Sequence, residues 1–231
     1  SQDPLGLRRA ASGAVGIILS CGYDLNLHSL LTFTVGLCRQ AIEQNGLPGK
    51  GKAVDEKTAV DKLNRFLLSR VEAALLEQGF ATEIIRGVLS GKENRISRLP
   101  AMVEALSAIS GLSAFSDIVT GWRRSFVLSK ETKDREVLPE LLVETFEKDL
   151  YELITRQWFD MDSSFENREY AKYLLGLASL RGAIDSCLDN VLIMAKDDTL
   201  KQNRLRLLGL VSDLFTRFAD FSFVLPLVGK V

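Results

Sequence analysis

Apolar residues recur at steps of three and four through most of this chain, the spacing that lays them along one face of an α-helix. In 137–154 the stripe is Val137, Leu138, Leu141, Leu142, Phe146, Leu150, Leu153 and Ile154. In 200–218 it is Leu200, Leu207, Leu208, Val211, Leu214, Phe215 and Phe218, and 171–194 is a third long helical candidate with Gly176 and Gly182 as close-packing points. Nearer the start, helices are expected near 5–20, 26–44, 56–78, 81–90 and 96–109, with Gly22, Gly79 and Gly111 where C-terminal caps belong. No alternating run is long enough to predict a strand. The pattern predicts an all-α protein in two helical parts, 1–112 and 113–231, divided near 110–113. Connections are expected at 130–136 and 160–164, and 45–52 is the clearest loop.

Composition narrows the class without naming a function. The 231 residues are 46% hydrophobic and 26% charged, an ordinary globular balance able to bury a core. No apolar run approaches the roughly 20 residues of a membrane span. No signal peptide is visible, and the opening Ser1 suggests a processed or excised chain. Cys21, Cys38 and Cys187 are widely separated and odd in number. They support neither a zinc site nor a disulfide framework, and a cytoplasmic compartment is expected. Residues 1–112 carry a formal charge of +2 and 113–231 one of −3. Nucleic-acid contact would therefore have to come from local basic clusters, not from a basic domain.

Candidate chemistry is sparse. Gly46-x-x-x-x-Gly51-Lys52 matches most of a phosphate-binding loop, but Ala53 stands where a Ser or Thr would hold magnesium, and the residues before it read as the end of a helix. A solvated basic loop is the simpler reading. His28, the single histidine, has no partner at metal-ligand spacing and is expected at a helix start or on the surface. Asp185 and Asp189 are one turn apart and read as a solvated helix face. Asp197 and Asp198 read as the start of the next helix, where negative charge is favoured. No catalytic residue and no metal site emerge.

Two basic clusters remain. One is Arg123, Arg124, Lys130, Lys133 and Arg135, interleaved with Trp122 and Phe126. The other is Lys196, Lys201, Arg204 and Arg206, beside Gln202 and Asn203. Looped RNA is gripped by stacking on aromatic or guanidinium planes and by hydrogen bonds to base edges, and both clusters hold those residue types. Trp122 and Phe126, one turn apart, are more simply core.

Several stretches, in order, carry a family resemblance. Asp3 to Ala10 reads D-P-L-G-L-R-R-A, and Arg65 to Leu89 reads R-F-L-L-S-R-V-E-A-A-L-L-E-Q-G-F-A-T-E-I-I-R-G-V-L. Asp197 to Leu205 reads D-D-T-L-K-Q-N-R-L, and Ala219 to Ser222 reads A-D-F-S. These resemble the beta subunit of the bacterial two-subunit glycyl-tRNA synthetases, with its D-P-F-A-L-R-R-A run after an HD-like region, its D-E-A-L-R-A-N-R-L segment and its closing A-D-F-S. Arg123, Val127 and Lys130 fit that family's K-R-V-x-N-I-x-x-K motif, while Phe126 stands at its Asn and Trp122 at its first Lys. The D-A-L-R signature is present only loosely, as Asp198-Thr199-Leu200-Lys201.

The resemblance implies a ligase that attaches glycine to tRNA using ATP and is built from two alpha and two beta subunits. Alpha would carry the aminoacylation site with its ATP and magnesium, and beta would recognise tRNA. This chain would be a C-terminal part of beta: an HD-proximal helical region over 1–112 and an anticodon-binding helical domain over 113–231. It would have no catalytic residue or cofactor of its own. Its expected partners are glycine tRNA, the alpha subunit and the remainder of beta, with no membrane. Lys201 and Arg204 would reach the anticodon stem-loop through phosphates, and Asn203 would contact a base or pack a helix. Arg206, Arg123, Arg124 and Lys130 complete the expected tRNA surface. A helical protein-interaction scaffold without RNA binding is the alternative, and a nucleotide-using enzyme built on the Gly46 loop is a third reading.

Overall fold

The computed structural model describes residues 3, 5–44 and 55–228; the Gly46–Lys52 motif lies outside them. Among the described residues there are ten α-helices and no strand, as the periodicity predicts. The chain forms two compact units. One is built from 1–80 and 93–100, the other from 81–92 and 101–231. The expected boundary after Leu112 falls inside the second unit, between two of its helices.

In the first unit, α1 (Leu7–Cys21), α2 (Leu27–Gln44) and α3 (Glu56–Glu77) pack with α3 against both others. The core is small: Ala11 and Val15 from α1, Leu27, Leu31 and Val35 from α2, Val60, Val71 and Leu75 from α3. Gly22 ends α1 with φ 66° and Gly79 follows α3 with φ 89°, the left-handed conformation glycine adopts without a Cβ clash. Gly111 is not in that conformation. Asp55 caps α3 by accepting the Thr58 N–H at 2.9 Å. The 93–100 segment closes the unit: the Leu27 N–H donates to Asn94 O at 2.9 Å, and the buried Arg98 guanidinium donates to both Asp24 oxygens at 3.0 and 2.9 Å.

The second unit contains α4 (Thr82–Leu89), α5 (Leu99–Ile109) from Ala101 onward, α6 (Ser113–Ser129), α7 (Thr145–Glu166), α8 (Tyr170–Ser179), α9 (Arg181–Asn190) and α10 (Asp198–Phe218). Its axis is α10, which has buried residues all around its circumference, among them Leu207, Leu208, Val211, Phe215 and Phe218. This is the signature of an internal helix. It packs on α6, and a Cβ at Gly121 of α6 would stand 3.2 Å from the Phe215 ring, so the two backbones approach closely. Phe165, Tyr170, Tyr173 and Phe218 form an aromatic cluster in which Tyr173 stacks on Phe218 and Phe165 meets both tyrosines edge-on. The Tyr173 hydroxyl donates to Leu214 O at 2.7 Å. At the chain's end the Asp220 N–H donates to Gly87 O, tying α4 down.

Three expected boundaries move, two of them with visible causes. The stripe over 137–154 is not one helix: Pro139 sits in a 3₁₀ turn, and α7 begins at Thr145 behind a reciprocal cap between Glu144 and Glu147. The connection expected at 160–164 lies within α7, where Met161, Ser164 and Phe165 are buried against the rest of the unit. The candidate over 171–194 is two helices, with Leu180 between them and 191–194 outside both.

Candidate nucleic-acid interface

The first basic cluster rides on the C-terminal half of α6 and the segment after it. Trp122 is buried and stacks on Phe126 with ring centroids 5.1 Å apart and planes at 17°, while its other side meets Phe221. Trp122 is core and Phe126 is half-buried against it. Arg123 and Lys130 are exposed and carry no ion pair among the described residues. Arg124 instead donates to Asp185 and Asp189 of α9, each at 2.5 Å, and Arg181 shares Asp185 at 2.5 Å. The two aspartates expected on a solvated face are thus a clamp that fixes α9 to α6. The Asp189 hydrogen bond, with Asp185 behind it, holds the Arg124 proton more tightly than usual.

Beside this clamp lies an open groove of about 650 Å³. Arg123, Arg124, Val127 and Leu128 form its α6 wall, and Val191, Leu192, Ile193 and Met194 its far wall. Leu192 and Met194 are 69% and 59% exposed, and Val127 is 55% exposed. A groove with cations at one lip and uncovered apolar side chains across it can take a phosphate and a flat base together. The pattern did not single out Leu192 and Met194, because the 171–194 periodicity had placed them on a helix.

The second cluster begins at α10. Asp197 caps the helix, its Oδ1 accepting from the Thr199 and Leu200 N–H groups at 2.8 and 3.1 Å. Lys201 is half-buried and pairs with Asp198 one turn earlier. Arg206 pairs with Asp134 at 2.7 Å. Asn203 is fully buried: its Oδ1 accepts the Leu138 N–H at 2.8 Å and its Nδ2 donates to Leu138 O at 3.0 Å. Arg204 is 5% exposed. Its Nε donates to Glu147 Oε2 at 2.7 Å and its Nη1 to Leu192 O at 2.9 Å.

Glu147 is itself fully buried, and its Oε1 also accepts the backbone N–H groups of Val143 and Glu144 at 2.6 and 2.8 Å. Burial pushes its carboxyl up, but the Arg204 guanidinium and those two N–H groups overcome it and hold it below the usual carboxylate range. The polar side chains of Asn203 and Arg204 are therefore turned inward in this structure. Asn203 fastens the 134–138 segment to α10, and Arg204 fastens the start of α7 and the groove's Leu192 wall. Glu147 was missed in the sequence because its partner lies 57 residues away.

The same segment joins the two clusters. From Lys130 the chain runs along α10, held by Arg206 to Asp134, Asn203 to Leu138, and Arg135 to Asp213 at 3.1 Å. Basic residues about 75 positions apart in sequence thus share one part of the second unit. Among the described residues no group of His, Cys, Asp or Glu is arranged to hold a metal, and no single helix is long and apolar enough to cross a membrane. His28 is exposed near the start of α2.

Comparison with known proteins places these features. Residues 1–90 match the family model described as glycyl-tRNA synthetase beta subunit, and residues 123–220 match the DALR anticodon binding domain. The chain is similar to the glycine–tRNA ligase beta subunit of Sulfurihydrogenibium sp., 33% identical over 223 residues, 96% of this chain and 29% of the relative. It is similar to that of Tolumonas auensis, 33% identical over 227 residues, 96% of this chain and 31% of the relative. Similarity to the Moorella thermoacetica subunit is 30% over 227 residues, 98% of this chain and 32% of the relative. The chain thus spans about 30% of the length of the curated relatives it matches.

Proposed function

We propose that this chain, which belongs to the glycyl-tRNA synthetase beta-subunit family, is a tRNA-binding part of a glycine–tRNA ligase. The observation that carries the reading is the match of 123–220 to an anticodon-binding domain together with the groove that the same residues build. In this reading Arg123 and Lys130 contact RNA directly from α6, Arg124 lines the groove while clamping α9 through Asp185 and Asp189, and Lys201 and Arg206 contact RNA by exchanging their aspartate partners for phosphates. Leu192 and Met194 offer a base an apolar seat. Asn203 and Arg204 act underneath, holding the groove wall and the 134–138 segment in place. Aminoacylation, with its ATP and magnesium, belongs to the alpha subunit, and the chain works in the cytoplasm.

The test is a titration of glycine tRNA, and of the same tRNA with a swapped anticodon, against the chain at several salt concentrations. Saturable binding that weakens with the anticodon swap is expected. Arg123→Ala with Lys130→Ala should lower affinity and reduce the slope of log K against log salt by about 1–2, since each phosphate contact releases roughly one counterion. Absence of saturable binding by a folded chain would favour the scaffold reading.

A further inference from the structure

Residues 10–38 hold one acidic side chain, Asp24, and no lysine or arginine. Asp24 is held by Arg98. The two helices in this stretch bury little: only Ala11 and Val15 of α1, and Leu27, Leu31 and Val35 of α2. On α2 a second apolar stripe runs through Leu30, Phe33 and Leu37, spaced three and four apart and 39%, 65% and 49% exposed. On α1 Ile17 is 58% exposed, one turn beyond Gly13 on the same face. An apolar face of this kind, without charge to keep it solvated, marks an interaction surface in a water-soluble fold.

The glycines point the same way. Gly13 and Gly16 lie inside α1, where glycine weakens a helix. A Cβ at either would meet nothing within 4 Å among the described residues, so their small size serves no packing among those residues. Gly121 shows the contrast, since its missing side chain admits Phe215. Bare glycines on an uncharged helix face are suited to a second helix lying close against them.

The occupant follows from length and charge. A lipid surface attracts basic residues, and the stretch has none. In the relatives, the matching segment sits in a polypeptide about three times as long, since 96–98% of this chain corresponds to only 29–32% of theirs. We propose that the Leu30–Phe33–Leu37 stripe of α2, in a unit whose α1 carries a second bare face at Gly13 and Ile17, is a docking surface for a helical, apolar part of a glycine–tRNA ligase beta subunit outside the segment this chain spans. The proposal stands on the first unit alone and is independent of RNA binding by the second.

Thiol labelling tests it. In a chain with Cys21→Ser and Cys38→Ser, a single reporter is placed by Phe33→Cys, and by Leu30→Cys in a second version in case the first disturbs folding. Lys57→Cys, exposed on α3, is the control. Each version is labelled as the isolated chain and as part of a full-length Sulfurihydrogenibium beta subunit in which it replaces the matching segment, with helix content checked by circular dichroism. Labelling at the α2 positions should slow at least tenfold in the full subunit while the control is unchanged. Equal rates in both contexts at both α2 positions would overturn the proposal. So would slow labelling in the isolated chain that tracks a dimer seen by sedimentation, which would make the occupant a second copy.

Discussion

Replacing Arg204 by Met separates a buried structural ion pair from a phosphate contact. Met keeps much of the side chain's length while removing the charge, so Glu147 is left ionised at zero exposure with two backbone N–H groups as its remaining partners. Breaking one side of a buried pair costs about 3–5 kcal/mol, mostly from the uncompensated charge. Both tryptophans, Trp122 and Trp158, lie in the second unit, so their fluorescence during urea unfolding reports on that unit. The pH dependence gives the sharper criterion. In the parent chain the Glu147 carboxyl is held below its ordinary range, so its contribution is complete above the unfolded pKa and is lost as pH falls through the folded one. In the Arg204→Met variant burial acts without the guanidinium to oppose it, and the carboxyl takes up a proton at higher pH than in the parent. The difference between the two proteins should therefore be largest near pH 7 and shrink toward about pH 5. Adding Glu147→Gln, which removes the charge but keeps an acceptor for the two N–H groups, should recover part of the loss near neutrality. A cost below about 1 kcal/mol, the same at both pH values, together with a large fall in tRNA affinity, would refute the reasoning and return Arg204 to the RNA surface.

Four further outcomes are expected. Tyr173→Phe removes the hydroxyl that donates to Leu214 O inside the aromatic cluster and should cost about 1 kcal/mol in the same unfolding assay, the loss of one hydrogen bond to a carbonyl within α10. Burial pushes the Cys187 thiol up to about 11, whereas Cys21 and Cys38 are exposed; a disulfide reagent near pH 8 should titrate two thiols in the folded chain and the third only on unfolding. Gly91→Ala would put a Cβ 2.8 Å from the Phe218 carbonyl oxygen, backbone that cannot turn aside, and should destabilise by about 1–3 kcal/mol. Gly13→Ala, with nothing among the described residues within 4 Å of the added Cβ, should raise the isolated chain's helix stability by up to about 1 kcal/mol by thermal circular dichroism.

Helix type was legible in the sequence wherever one apolar face dominates, as in α3 and α4, because a stripe at helical spacing has few other ways to be buried. Breaks were less legible where they depend on distant partners. The turn at 137–144 exists because Asn203 takes both backbone groups of Leu138 and Glu147 takes the N–H groups of Val143 and Glu144. No window of local residues carries that information. The discontinuous first unit is another case: 93–100 belongs with 1–80 through Leu27, Asn94, Asp24 and Arg98, and neither composition nor periodicity changes at residue 80 or 100.

The segment from Asp197 to Leu205 shows why a motif can identify a family without being its binding surface. Asp197 caps α10, Asn203 clamps Leu138, and Arg204 bonds Glu147 and Leu192 O. Each of these side chains satisfies a partner that cannot move without unpicking the bundle, and each bond needs one particular residue type at one particular turn. A phosphate contact makes no comparable demand: an exposed cation on a flexible stem meets a phosphate from many positions. The distinctive residues of the motif are therefore those that build the fold. In the proposed reading the side chains left to meet RNA are the plainer cations of the same unit, Arg123 and Lys130 foremost, whose affinity would rise and fall with salt while the buried pair sets the shape they work from.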